Sequence, residues 1–131
     1  MPSAKLFSQD ILLVLAGGAL GSTLRYYVSI LTNYNTRSPF PYKTLLVNIL
    51  GCFLAGFIAI YFEHHSRHDH LRLFLIIGFI GAFTTFSTFS LETLMLYQEG
   101  HLKTALLNIA VSTVACLVSV TAGFLAGSAV K

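Results

Sequence analysis

In the stretch Gly78-Phe79-Ile80-Gly81-Ala82-Phe83-Thr84-Thr85-Phe86-Ser87-Thr88-Phe89-Ser90, two glycines and five hydroxyl side chains interrupt residues otherwise suited to lipid. Hydrocarbon holds no water to satisfy such groups, so polar side chains and freed backbone at membrane depth need protein or a polar cavity around them. Gly78 and Gly81 weaken helix continuity just before the hydroxyls, which can bond the backbone groups a break would free. Carbonyls released there can coordinate a monovalent cation, while the N–H end of the next half-helix favours an anion. Phe86 and Phe89, three residues apart, share a side if the helix resumes, and the positive edges of their rings can face an anion. The segment therefore reads as an ion-binding helix break or a pore wall.

Other polar residues fall where lipid would reject them. Asn48 lies four residues after Thr44 and so stacks with it on one helical face. Its amide offers two donors. Alone it would read as an interhelical hydrogen bond; together with the third span it reads as a functional donor. Arg25 comes late in the first span, where it either snorkels to the interface or lines an anion vestibule. Glu92, one turn after Thr88, is an ionisable group within a span and hence a functional candidate, unless it caps or pairs near the interface. Asn108, Ser112, Cys116 and Ser119 make one polar stripe at helical spacing, either lining a path or bonding back to their own helix.

These residues need a membrane around them. Of 131 residues, 55% are hydrophobic and 10% charged, too apolar for one small soluble core. Four stretches, 11–31, 44–62, 71–97 and 104–130, reach the roughly 20 residues needed to cross about 30 Å of hydrocarbon. Nearly all the charge sits in the connectors 33–43, 63–70 and 98–103. Residues 1–131 are thus expected to form a single four-helix transmembrane domain, and the first stretch is too long for the core of a cleaved signal. Cys52 and Cys116 both fall inside spans, where thiols act as small apolar fillers, so no disulfide is expected. A net charge of +3 and a pI near 9.0 fit basic membrane flanks and exclude no membrane function, whereas a nucleic-acid surface is not indicated.

The basic residues do not choose an orientation. Lys5, Arg67, Arg72 and Lys131 fall on one side, and Arg25, Arg37, Lys43 and Lys103 on the other. Insertion both ways is the simplest inference, and a counter-oriented second copy would act as an inverted repeat does in larger transporters. Four short helices are also too few to surround a polar path unaided. Gly17/Gly21, Gly51/Ala55 and Gly123/Gly127 provide small-residue patterns for contact between chains or within one.

Three other functions are weaker. The run Glu63-His64-His65-Ser66-Arg67-His68-Asp69-His70 suggests a transition-metal site, but its arginine and short loop fit a solvated connector better. No Cys-x-x-Cys, phosphate-cradling glycine loop or Ser-His-Asp arrangement supports an enzyme. A small dual-topology multidrug/proton antiporter has the same length and span number but requires a membrane-central carboxylate; Asp10 lies only at the edge of the first span, and Glu92 stands in the third beside the break.

With Gly17-Gly18…Gly21…Arg25-Tyr26, then Thr44-Leu45-Leu46-Val47-Asn48…Gly51, then Gly81-Ala82-Phe83-Thr84-Thr85-Phe86-Ser87-Thr88-Phe89, almost the whole chain resembles the Fluc (CrcB) family of fluoride channels. The resemblance implies an all-α membrane protein with a broken third helix, an antiparallel dual-topology homodimer in the cell's inner (plasma) membrane, and passive fluoride export through two narrow paths. It further implies a structural sodium ion where the broken helices cross, held by the carbonyls of Gly81 and Thr84 and the same pair from the second copy. Phe86 and Phe89 would meet the anion with their ring edges, Asn48 would be the path donor, Thr44, Ser87 and Thr88 would support it, and Arg25 would stand near the vestibule. The fourth span departs from the family's Ser/Thr track by placing Cys116 between Ser112 and Ser119, and Ser112 is the preferred lining residue.

Overall fold

The computed structural model describes residues 4–32, 38–64 and 69–130, with side chains from Ser8 onward and without that of His64. Among them there is no strand. The elements are α1 (Ala4–Leu31), α2 (Tyr42–His64), α3 (Asp69–Arg72), a π-helical segment (Leu73–Ile80), α4 (Gly81–Phe83), α5 (Phe86–Gln98) and α6 (Leu102–Ala129). They make four apolar spans, Ser8–Leu31, Tyr42–Glu63, Asp69–Gln98 and Leu102–Ala129, each long enough to cross a membrane. All four coincide with the stretches expected from sequence, and the third is interrupted at Thr84 and Thr85. The protein is therefore an all-α, multi-pass membrane protein with a broken third helix. Of the histidine run, 65–68 and the side chain of His64 lie outside the described residues. His70 stands 3.4 Å from Asp10, tying α3 to the start of the first span.

Local chemistry sets where the helices begin and end. The Pro41 carbonyl accepts the first bond of α2, from Leu45 N–H at 3.2 Å, and proline's fixed φ suits that entry. At the end of α5, Gly100 adopts φ 83°, a left-handed conformation in which a Cβ would be strained. That turn lets His101 N–H reach Leu96 O at 2.8 Å and Gly100 N–H reach Tyr97 O at 3.1 Å, closing the helix end before α6 starts at Leu102.

The spans pack in two pairs. Ser119 Oγ donates to Ile49 O at 2.7 Å, a Cβ at Gly123 would collide with Phe53 O, and one at Gly127 would crowd Phe57 O. The pairs 49/119, 53/123 and 57/127 advance together by one turn, so α2 and α6 run parallel with their backbones in contact. Between the first and third spans, Cβ atoms at Gly17 and Gly21 would collide with the carbonyls of Phe74 and Phe79, and Gly78 backs onto Val14 and Gly17. Gly51 receives the Thr84 methyl. The small-residue patterns thus join helices of one chain. The buried apolar set is short, Val47, Ile60, Ile80, Phe83, Leu96 and Ala105, so close backbone approach carries much of the packing, as expected where lipid supplies no hydrophobic drive.

Candidate functional site

The break does not arise at the glycines. Gly81 has φ −59° and ψ −35°, ordinary right-handed helix, and Gly78 serves the contact with α1. The helix ends instead where Thr84 (ψ 158°) and Thr85 (φ −150°, ψ 110°) become extended, a conformation open to any residue. What stabilises it is side-chain hydrogen bonding. Asn48 Oδ1 accepts from Thr85 N–H at 2.8 Å, and Asn48 Nδ2 donates to Thr85 O at 3.1 Å, so one amide side chain replaces both backbone partners of Thr85. Thr85 then caps α5: its Oγ1 accepts from Thr88 N–H at 3.2 Å and donates to Thr88 Oγ1 at 2.9 Å, with Ser87 Oγ 3.3 Å away.

Two carbonyls are released as a result. In an unbroken helix Gly81 O would accept from Thr85 N–H, and Thr84 O from Thr88 N–H. Both amides are committed to side chains, the first to Asn48 and the second to Thr85. Thr84 itself remains anchored, its N–H and its Oγ1 both 3.0 Å from Ile80 O. Gly81 is solvent- or lipid-exposed in the single chain, so its carbonyl end of the break lies on the outer face of the bundle.

Arg25, Thr44 and Thr88 come together around a cleft of about 230 Å³, with Ser22, Tyr26, Ser29, Val47 and Thr85 completing its wall. Ser22 and Ser29 donate to Gly18 O (2.8 Å) and Arg25 O (2.9 Å) of their own helix, which turns their lone pairs rather than their protons toward other groups. Thr88 accepts the Thr85 proton and keeps its own to give. Arg25 and Thr88 thus keep protons to give at the cleft wall. Ser22 and Ser29 escaped the sequence reading although their spacing from Arg25, three and four residues, places them on its face.

The remaining residues sit apart from that cleft. Phe86 and Phe89 do share one side of α5, centroids 5.5 Å apart, and Phe86 leaves 79% of its surface uncovered. Ser87 and Ser90 are exposed beside it. Ser112 is buried, donating to Asn108 Oδ1 at 3.0 Å, while Asn108 Nδ2 donates to Thr93 Oγ1 at 2.9 Å. Asn108, only 1% exposed, therefore ties α5 to α6. Glu92 lies against the Thr44 hydroxyl and near the Lys43 charge. Its Oε2 is buried and has no hydrogen-bond partner among the described residues.

Four membrane spans, one of them opened at mid-depth by a side-chain clamp next to an arginine-bearing cleft, define a small multi-pass membrane protein built around a polar interruption. Residues 12–124 match the family described as CrcB-like protein, Camphor Resistance (CrcB), and the chain belongs to that family. It is 46% identical over 123 residues to the fluoride-specific ion channel FluC of Dehalococcoides mccartyi, covering 93% of this chain and 95% of that one. It is 43% identical over 117 residues to the FluC protein of Elusimicrobium minutum, covering 88% and 91%. The FluC protein of Legionella pneumophila is 45% identical over 115 residues, 87% of this chain and 86% of its own.

Proposed function

We infer that the chain is a fluoride-selective channel, not an enzyme, which passively exports fluoride across the cell's inner membrane as an antiparallel, dual-topology homodimer. The observation that carries this reading is the clamped break: Asn48 and Thr85 capture two backbone amides and thereby release the carbonyls of Gly81 and Thr84. Fluoride is small and strongly hydrated, so its path must replace water with several short donors, each weak enough to let the ion leave. Asn48 retains a second N–H beyond the one given to Thr85 O, and Thr88 retains its hydroxyl proton. Together with Ser87 and the ring edges of Phe86 and Phe89 they offer graded contacts, whereas Ser112 has given its proton to Asn108 Oδ1 and the Thr44 hydroxyl lies against Glu92, so these two support the wall rather than donate to the ion. Arg25 draws anions into the cleft without standing at its narrowest point.

The released Gly81 and Thr84 carbonyls suit sodium, a hard cation that takes oxygen ligands, and the same pair from a second copy would complete the set. A bound sodium supplies positive potential beside the path. Gly81, Phe86, Ser87 and Ser90 are exposed together, and polar backbone at that depth requires a protein partner. A second copy of opposite orientation meets that need, and the balanced basic residues permit it.

Fluoride efflux from liposomes, read with an electrode and with chloride as the control anion, tests the proposal. Wild-type protein should pass fluoride, exclude chloride and need no proton gradient. Asn48→Asp keeps an acceptor for Thr85 N–H but loses the donors and adds a repelling charge, so flux should fall to background. Unchanged rate and selectivity in that variant would overturn the reading. Transport that requires a proton gradient would instead favour an antiporter using the unpaired Glu92 oxygen.

A further inference from the structure

We propose that Cys52 and Cys116 form an intramembrane two-thiol site for a soft divalent cation of the Hg2+ class, closed between α2 and α6. The packing register places them opposite each other. A Cβ at Gly56 would strike Val120 O and come within 2.8 Å of Phe124 N, which seats 56 between 120 and 124 with the backbones touching. One turn earlier on each parallel helix stand Cys52 and Cys116, on the same two faces. The two thiols interact with each other, both are half-buried, and neither is in a disulfide.

The donor set selects the ion. Thiolate sulfur is soft and prefers soft metals, while zinc would need about four ligands. Among the described residues no group of three or more His, Cys, Asp or Glu side chains converges, so only a metal content with two ligands fits. Charge narrows the choice further. A divalent ion between two thiolates is neutral, whereas a monovalent one would leave a net negative charge in a low-dielectric interior. The step balances without an oxidant: two S–H bonds and two Hg–Cl bonds break, two S–Hg bonds form, and two protons and two chloride ions leave to water. Mercuric chloride is uncharged and can reach the site through lipid.

The full chain, reconstituted in lipid vesicles, is treated with one equivalent of HgCl2 and then labelled in detergent with a bulky maleimide to count free thiols. A bridged pair loses both thiols to a single equivalent, with the chain still migrating as one chain. Cys52→Ala and Cys116→Ala should each bind Hg2+ at least about 100-fold more weakly, because the second ligand acts at high effective concentration. One thiol left reactive in the wild type, covalent linkage between chains, or equally tight binding by either single variant would overturn the proposal. The wild-type thiol count decides the matter even if a variant fails to fold. It is also independent of fluoride transport, so its outcome and that of the channel assay are separately readable.

Discussion

Asn48 carries two duties at once. It completes the hydrogen bonding of Thr85, only 8% exposed, and in the proposed channel it offers a further N–H to a passing ion. Asn48→Ala should therefore lose more than flux. With Thr85 N–H left buried and unpaired, the cost is about 1–3 kcal/mol, measurable as a lower melting temperature in detergent. A variant with wild-type thermal stability would show that the clamp is dispensable. Asn48, Thr44 and the hydroxyl cluster were legible in the sequence, since apolar spans make any strong hydrogen-bonding side chain conspicuous. The clamp was not, because which backbone atoms an amide meets depends on how two distant segments approach. For the same reason Ser119 and Asn108 read as one stripe, although Ser119 reaches Ile49 O and Asn108 reaches Thr93.

At the scale of elements, span number and limits could be read from hydropathy, and the existence of a break from the pile-up of Gly, Thr and Ser. Its position could not. Glycine makes a break cheap, but Gly78 and Gly81 are helical, and capping by Thr85 places the interruption three residues beyond Gly81. The π-helical turns over Leu73–Ile80 leave no simple signature in an apolar run; such turns are often found at functional sites. Small-residue patterns announced tight helix contacts without naming partners, and both halves of the answer lie within one chain. Gly17→Val tests that assignment. Its side chain would meet Phe74 O and Phe79 N–H, rigid backbone rather than a movable tip. A loss of about 1–3 kcal/mol is expected from overpacking, seen as a lower melting temperature. No change would mean that α1 is not seated on the π-helical segment as described.

For the whole molecule, orientation follows from the balance of basic residues across its connectors and span ends. Adding two or three lysines to the connector around Lys103 should force one orientation and abolish fluoride efflux. A second variant with the opposite bias, produced alongside the first, should restore it. Full activity from one fixed orientation alone would exclude the antiparallel pair. The uncovered Phe86 has a further consequence, for dosage. In the proposed antiparallel pair a lone copy is unfinished, so working units would form by collision in the membrane and obey mass action. At sparse loading, activity per vesicle should climb with the square of the protein-to-lipid ratio, turning linear only once every copy has found its mate; cells making few copies would lose protection faster than they lose protein.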